Sequence, residues 1–308
     1  MSKNILVTGG AGFIGSHTVD LLISKGYKVT VLDDLSTGRK ENINKKAKFI
    51  FSDIVKADIK QLKNIDAVIH CAAQISVTRS VSDPLNDART NILGSLKMLD
   101  ICRKLKIKKF LFSSTAGVYG LNPLLPALEK FANPGNPYAI AKRSVEIYMN
   151  FYRQTYGTEC VSLRYSNVYG PRQNYLGEAG VITVFIGALL KNKKPTIFGD
   201  GKQTRDFVYV GDVASANLKA LDRKTHSSEI NIGTQTQITI NNLLSKIKKI
   251  MGKGKIGTIY GNKRKGDVRS SSLDISLARK ELGWKPSVRL DEGLEKTVKW
   301  FTTQKLYK

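Results

Sequence analysis

The stretch NILVTGGAGFIGS, residues 4–16, decides the fold of this chain. Its apolar residues 5–7 predict a buried strand, and the glycines behind them predict a tight turn into a helix. Such a turn brings backbone N–H groups at a helix N-terminus against a phosphate. The turn and the first helical residues are Gly9, Gly12, Phe13, Ile14 and Gly15. The sequence therefore predicts a strand, a pyrophosphate-binding turn and a helix in direct succession.

A second strand is predicted over residues 27–33, and it ends in Asp33, 18 residues after Gly15. A carboxylate at this distance from a glycine-rich turn binds the ribose hydroxyls of NAD and repels the additional phosphate of NADP. The sequence therefore predicts NAD as the cofactor, with Asp33 as its ribose ligand.

Strand-like and helical segments alternate over the first 165 residues. The strands are predicted at residues 5–7, 28–32, 48–51, 67–70, 109–113 and 160–164. Helical periodicity is clearest over residues 87–105 and 138–156, and Asn136, Pro137 and Gly157 are a suitable cap, first residue and stop for the second helix. This alternation is typical of an α/β protein with a doubly wound parallel sheet, the Rossmann architecture.

The pattern changes after residue 166, where loops containing glycine and proline surround predicted helices at residues 182–190 and 291–303. We therefore predict a NAD-binding Rossmann domain over residues 1–166. Residues 167–308 form a smaller α/β substrate domain, and part of residues 206–233 returns to the first domain.

The chain has 50 Lys and Arg residues against 25 Asp and Glu residues, a net charge of +25. Such an excess raises nucleic-acid binding as an alternative function. The lysines, however, form short clusters over many segments, without aromatic residues between them. We interpret the charge as a solvated surface and predict no specific nucleic-acid partner.

The longest apolar run, residues 181–190, is too short to cross a bilayer, and the N-terminus passes directly into the first strand. We therefore expect a cytoplasmic protein without membrane contact. Cys71, Cys102 and Cys160 show no metal-ligand spacing, so we predict core thiols and no metal site.

Tyr138 and Lys142 stand four residues apart at the start of a predicted helix, so both side chains emerge on one face. With a pKa of about 10, tyrosine is a weak base at neutral pH, but a neighbouring ammonium group and a nicotinamide cation both favour its phenolate. Thr115 follows a predicted strand at the carboxyl edge of the sheet, where ligands bind in such folds. We predict Tyr138 as the catalytic base, Lys142 as its support and ribose ligand, and Thr115 as a hydroxyl partner.

Several further segments share one resemblance. They read HCAAQ at residues 70–74, RYSNVYGPR at 164–172, TRDFVYVGD at 204–212, RKGD at 264–267 and LGWKP at 282–286. With the segments above, they resemble the extended short-chain dehydrogenase/reductase family in its NAD-dependent epimerase/dehydratase branch. The resemblance covers nearly the whole chain.

The resemblance implies roles for individual residues. It implies that Asp53 and Ile54 hold adenine and that Asn91 supports the active site. The residues implied beside the cofactor at the end of the fourth strand are Ala72, Ala73 and Gln74. Those implied to bind the nucleotide sugar are Thr115, Asn167, Arg205, Arg264, Asp267 and Ser271, with the two arginines on the diphosphate and Ser271 beside the sugar C2 substituent.

The reaction depends on a few positions. Dehydratases and decarboxylases of this branch carry an acid shortly after the catalytic hydroxyl, whereas this chain has Ala116 and Gly117. The resemblance therefore implies a homodimer that inverts C4 of a UDP-hexose, with the small Ser271 admitting an N-acetyl group as well. Two alternatives stay open: a nucleotide-sugar decarboxylase or reductase without that acid, and a NAD-binding or polyanion-binding protein without turnover.

Overall fold

A computed structural model describes residues 2–121, 123–174, 180–264 and 266–304 of the chain. The strands are β1 (Asn4–Thr8), β2 (Lys28–Asp33), β3 (Lys48–Phe51), β4 (Ala67–His70), β5 (Lys109–Thr115), β6 (Glu159–Tyr165), β7 (Asn167–Tyr169), β8 (Thr196–Phe198), β9 (Thr204–Arg205), β10 (Phe207–Tyr209), β11 (Glu229–Ile232), β12 (Ile238–Thr239) and β13 (Ile259–Gly261).

The α-helices are α1 (Phe13–Ser24), α2 (Val77–Ser82), α3 (Pro84–Ala88), α4 (Gly94–Lys104), α5 (Pro137–Tyr156), α6 (Val181–Leu190), α7 (Val210–Asp222), α8 (Ile240–Ile250), α9 (Ser276–Leu282) and α10 (Leu290–Thr303). A π-helical turn, Arg89–Leu93, joins α3 to α4. No helix in the described ranges is long and apolar enough to span a bilayer.

The central sheet is parallel, and among the described residues it has seven strands in the order β3-β2-β1-β4-β5-β6-β11. The six predicted strands all belong to it, so the predicted Rossmann architecture is confirmed. Strand order reverses between β1 and β4, which opens a crevice at their carboxyl ends, the usual ligand site of such sheets.

Two apolar layers cover the sheet. On one face, α1, α7 and α9 bury residues such as Val19, Val213 and Leu282 against it. On the other face, α4 and α5 bury Met98 and Val145. Because both faces are covered, successive residues of the inner strands are buried, as residues 5–8 of β1 are.

The helix predicted over residues 138–156 is confirmed as α5, and its ends follow from local chemistry. The side chain of Asn136 accepts a hydrogen bond from Ala139 N at 3.0 Å, and Pro137 occupies the first helical position. Gly157 ends the helix in the left-handed conformation with φ +67°. Asn136 and Pro137 fix where α5 starts, and so fix the position of Tyr138 relative to the sheet.

Part of the C-terminal half of the chain returns to the central sheet. Helix α7 packs against α1, and β11 pairs with β6 as an edge strand, with Ile230 opposite Leu163. A separate apolar cluster joins α6, α8 and α10. Trp284 is buried and donates from Nε1 to the carbonyl of Asp212 at 3.0 Å, so it joins the segment after α9 to α7. The division of the chain at residue 167 stays a prediction.

Two lysine-rich segments, residues 191–194 and 246–255, meet in the structure. Helices α6 and α8 pack through apolar residues, which brings the lysine-rich segments after them together. Lys253 Nζ donates to Asn192 Oδ1 at 2.7 Å. These two clusters therefore lie together in the structure, because a packing contact joins segments that are distant in sequence.

Candidate active site

The glycine-rich turn connects β1 to α1, and two of its glycines are required by packing. Gly9 has φ +68°, and a Cβ there would lie 2.6 Å from Ala72 N at the end of β4. A Cβ on Gly15 would lie 2.1 Å from the carbonyl oxygen of Gly9. Neither position tolerates a side chain, so the turn fits tightly between two strands and the helix.

Gly12 differs, because the protein itself leaves space beside it. It is the N-cap of α1, with φ −78°, no side-chain capping bond and no acid in the first helical turn. Among the described atoms, a Cβ on Gly12 would meet only the Gly9 oxygen, at 3.1 Å. Phe13 and Ile14 open the helix whose positive N-terminal end faces this space, which suits a pyrophosphate.

Asp33 lies at the carboxyl end of β2, beside the turn. Its carboxylate accepts hydrogen bonds from Ala11 N at 3.0 Å and Leu35 N at 2.8 Å. Burial raises the pKa of Asp33, and these two backbone donors lower it. A carboxylate has about four acceptor positions, so Asp33 can still accept from ribose hydroxyls. The residues present therefore fit a dinucleotide.

Asp53 and Ile54 have partners within the protein. Asp53 accepts from Val55 N at 2.9 Å and pairs with Arg89 at 3.0 Å. Ile54 packs against Gly94, where a Cβ would lie 2.5 Å from Ile54 Cδ1. Their adenine contact stays a prediction.

Ala72, Ala73 and Gln74 follow β4 into the crevice, and Gln74 is held by Asn91 of the π-helical turn. Gln74 N donates to Asn91 Oδ1 at 3.0 Å, and Asn91 Nδ2 donates back to the Gln74 carbonyl at 2.9 Å. Both amide side chains also bind Asp87, a buried carboxylate that the sequence analysis missed.

Lys142 is buried in α5, directly behind the end of β5. It is 2% exposed, and its Nζ donates to the carbonyl of Ser113 at 2.9 Å. Burial lowers the pKa of Lys142 to about 8. The hydrogen bond fixes the ammonium against the strand that carries Thr115.

Tyr138 lies one helical turn before Lys142. Burial raises the pKa of Tyr138 to about 12, while a hydrogen bond with Thr115 lowers it. In the protein alone Tyr138 is therefore a phenol, and its ionisation depends on a further positive charge. The structure brings together the three predicted catalytic residues.

A cavity of about 240 Å³ opens beside Thr115. Three other predicted substrate residues, Asn167, Arg205 and Ser271, also line it. Tyr138 is not part of the lining and reaches it through Thr115. Among the described lining residues there is no Asp or Glu, and the described chain has no group of three or more possible metal ligands.

The predicted diphosphate arginines have different surroundings. Arg205 donates to the carbonyls of Thr204 and Val268, both at 2.7 Å, and pairs with Asp267. The guanidinium of Arg264 lies 4.0 Å from the centroid of the Phe198 ring, outside the cavity lining. The structure therefore joins Arg205 to Asp267 at the cavity and leaves Arg264 apart from it.

A buried ion pair below the site was also missed. Glu146 binds Arg164 through two hydrogen bonds, of 2.9 and 2.7 Å, and accepts from Ser114 Oγ at 2.7 Å. Arg164 also donates to Tyr119 Oη at 3.1 Å. One pattern in the sequence points to Glu146 but not to its partner: Glu146 follows Lys142 by four residues, and so shares its helix face.

Known proteins resemble this chain over nearly its full length. The NAD-dependent epimerase/dehydratase family matches residues 5–233. A putative UDP-glucose 4-epimerase from Methanocaldococcus jannaschii is 49% identical, with 96% of this chain and 97% of that one covered.

Two solved structures are similar to this fold. A UDP-glucose 4-epimerase from Thermotoga maritima, solved with UDP-glucose, is 47% identical with a TM-score of 0.93, covering 97% of this chain and 98% of that one. A UDP-N-acetylglucosamine 4-epimerase from Methanobrevibacter ruminantium, in complex with UDP-N-acetylmuramic acid, is 42% identical with a TM-score of 0.94, covering 98% and 99%.

Proposed function

Because the chain belongs to the NAD-dependent epimerase/dehydratase family, we propose that it is a UDP-hexose 4-epimerase. The observation that carries this proposal is the cavity wall beside Thr115, which continues with Ala116 and Gly117 and has no carboxylate among its described residues. Elimination of water or handling of a carboxylated sugar needs another acid there, whereas inversion at C4 needs one base and a hydride acceptor.

The catalytic residues divide the reaction between them. Tyr138 takes the proton of the sugar 4-hydroxyl, and Thr115, already hydrogen-bonded to Tyr138, holds that oxygen. Bound NAD would supply the acceptor for the hydride of C4 and, once the keto sugar has turned in its pocket, the donor that returns this hydride to the opposite face. Lys142 stays fixed on Ser113, and its positive charge favours the phenolate. Tyr138 then returns the proton, and the configuration at C4 is inverted.

The cofactor site is proposed along the crevice. The turn from Gly9 to Gly15 holds the pyrophosphate on the N-terminus of α1, and Asp33 binds the adenosine ribose. Asp53 and Ile54 would hold adenine. Lys142 binds the nicotinamide ribose.

The substrate site is proposed around the cavity. Asn167, Arg205 and Arg264 bind the diphosphate. This requires Arg205 to share its guanidinium with Asp267 and the substrate, and requires Arg264 to turn from the Phe198 ring towards the cavity. Ser271 lines the cavity and is half-buried, so it leaves room for an N-acetyl group at C2. We therefore assign both the glucose/galactose pair and the N-acetylated pair as substrates.

Exposed apolar residues on one helix face support a homodimer. At helical spacing, α5 presents Ile140, Ile147 and Phe151 to solvent, between 49 and 57% exposed. An apolar stripe of this kind on a surface helix marks a contact between subunits, and a two-fold axis pairs it with itself.

The free thiols Cys71, Cys102 and Cys160 agree with the proposed cytoplasmic location.

Incubation with UDP-glucose, UDP-N-acetylglucosamine and UDP-glucuronate, followed by separation of epimers, tests the function. We expect UDP-glucose and UDP-N-acetylglucosamine each to be interconverted with its 4-epimer, without net formation of NADH or CO₂. The Tyr138→Phe protein serves as the inactive control. Stoichiometric release of CO₂ or NADH would assign a decarboxylase or an oxidoreductase instead, and no turnover on any UDP-hexose would overturn the proposal.

A further inference from the structure

Asp87 is a buried carboxylate that the reaction described above does not use. It lies on α3 and is 1% exposed. Its Oδ1 accepts hydrogen bonds from Gln74 Nε2 at 2.8 Å and from Asn91 Nδ2 at 2.9 Å. Because Gln74 and Asn91 are also bonded to each other, the carboxylate has a fixed position.

Among the residues that the structure describes, Asp87 has no positively charged partner of the kind that Glu146, the other buried carboxylate near Lys142, has. Glu146 pairs with Arg164 and Arg143 at 2.7 and 2.9 Å. Within the described ranges, no lysine or arginine lies within ion-pair distance of Asp87, and its partners are two neutral amides. Burying an unpaired carboxylate is costly. A positive charge further away that balances the carboxylate of Asp87 explains why it is buried.

That more distant charge is on α5, which packs against α3. Burial raises the pKa of Asp87, and the ammonium of Lys142 lowers it. Burial lowers the pKa of Lys142 and raises that of Tyr138, and the charge of Asp87 raises both. The charged, titratable or hydrogen-bonding groups that face this tyrosine and lysine are Asp87 from α3, Glu146 from α5, His70 and Cys71 from the end of β4, and Thr115 from β5.

We propose that Asp87 is a positioning residue that supplies the counter-charge of Lys142 across the α3–α5 contact and so keeps the lysine an ammonium. Burial alone favours neutral Lys142. Glu146 also raises the pKa of Lys142, but its charge is shared with Arg164 and Arg143, whereas Asp87 has no lysine or arginine within ion-pair distance among the described residues.

The same charge sets when Tyr138 ionises. Burial and Asp87 both oppose the phenolate of Tyr138, whereas the positive charge that oxidised NAD would bring would favour it. Without that positive charge, Asp87 favours the proton on Tyr138. The proton is therefore retained there until it is returned to the sugar oxygen. This step rests on the proposed function, because it uses Tyr138 as the base.

Asp87→Asn tests the proposal, since it removes the charge and keeps an oxygen acceptor for Gln74 and Asn91. The matched control is Asp83→Asn, the exposed cap of the same helix, whose side chain accepts from Asn86 N at 3.1 Å. Asparagine is an equally good cap, so the control removes one charge from α3 without removing the cap. Both variants are compared with the unchanged protein.

The first readout is the pH dependence of kcat/KM. In Asp87→Asn the acidic and the alkaline limb of this pH profile both move to lower pH, because the pKa values of Tyr138 and Lys142 both fall. We expect the decrease in kcat/KM to be about 10-fold larger at pH 9 than at pH 7, since each pH unit beyond the alkaline limb lowers kcat/KM by a factor of ten. Asp83→Asn leaves both limbs in place. A purely structural role would lower the whole profile without moving it.

The second readout needs no turnover. Tyrosine ionisation in the NAD-loaded protein is followed by the absorbance of the phenolate, with Tyr138→Phe subtracted to isolate Tyr138. In Asp87→Asn this ionisation moves to lower pH. If the unchanged protein has no epimerase activity but Asp87→Asn still moves the ionisation of Tyr138 to lower pH, the proposed function is overturned and the role of Asp87 is not.

An unchanged ionisation of Tyr138 in Asp87→Asn would overturn the role of Asp87. If Asp87→Asn does not fold, Asp87→Ser, which also lacks the charge and retains a hydroxyl acceptor, takes its place in both measurements. Failure of both variants to fold would assign Asp87 to stability and would overturn the proposal as well.

Discussion

Replacing Gly12 with alanine separates the cofactor role of the glycine-rich turn from its folding role. The φ of −78° suits alanine, and the added Cβ would touch only the Gly9 oxygen at 3.1 Å among the described atoms. Restricting the unfolded chain stabilises the protein by about 0.4–1 kcal/mol, which offsets a poorer N-cap and the close contact. We therefore expect the free energy of unfolding to change by less than about 1 kcal/mol.

The same methyl group would stand where a pyrophosphate approaches the backbone of α1. Loss of one hydrogen bond to a charged group weakens binding by about 1.5–3 kcal/mol. This corresponds to NAD affinity lower by about 10- to 150-fold. Urea unfolding measures the effect on stability, and calorimetric titration with NAD measures the effect on affinity.

Two further glycines provide the controls. Gly15→Ala places its Cβ 2.1 Å from the backbone oxygen of Gly9, so we expect severe destabilisation. Gly254→Ala, with no described atom within 4 Å of the new Cβ, gains only the stabilisation of about 0.4–1 kcal/mol from the restricted unfolded chain and leaves NAD affinity unchanged. If Gly12→Ala bound NAD as tightly as the unchanged protein, the turn would not be the pyrophosphate site. Destabilisation as large as that of Gly15→Ala would contradict the geometric argument.

Tyr138→Phe is expected to retain NAD binding and lose about 10²–10⁴-fold in kcat, measured by epimer separation; a near-normal rate would exclude it as the base. Asp33→Asn removes the charge that repels the NADP phosphate, so calorimetric titration should show the two cofactors binding more equally, and unchanged discrimination would move that role elsewhere. Arg205→Ala and Arg264→Ala should each weaken UDP-sugar binding by about 1.5–3 kcal/mol with little effect on NAD, whereas unchanged affinity in both would relocate the diphosphate. Ser271→Tyr should selectively reduce kcat/KM for the N-acetylated pair, and equal losses on both pairs would show that it is not the gate.

The fold was predictable because its determinants are local. Each strand of the central sheet that the sequence predicts is rich in apolar residues, and those of inner strands such as β1 and β4 are buried in the structure, whereas the edge strand β3 leaves Phe51 exposed. The bounds of α5 followed from Asn136, Pro137 and Gly157, whose chemistry acts within a few residues. The proximity of Thr115, Tyr138 and Lys142 followed from one helical spacing and one strand end.

The rest of the site depends on segments that are distant in sequence. Arg205 and Asp267 are 62 positions apart, and their ion pair depends on how the C-terminal loops pack. Asp87 and Gln74 lie on different elements, and the π-helical turn that orients Asn91 has no sequence pattern of its own. A single sequence shows each residue, while the partner of a buried carboxylate appears only once the chain has folded.

The pairing of β11 with β6 has a consequence for how the protein is made. During synthesis, β6 has an open edge until the ribosome has added more than sixty residues beyond it, because β11 begins only at Glu229. An unprotected strand edge of this kind recruits other chains. A nascent chain stalled before Glu229 is therefore expected to aggregate rather than survive as a free cofactor-binding fragment.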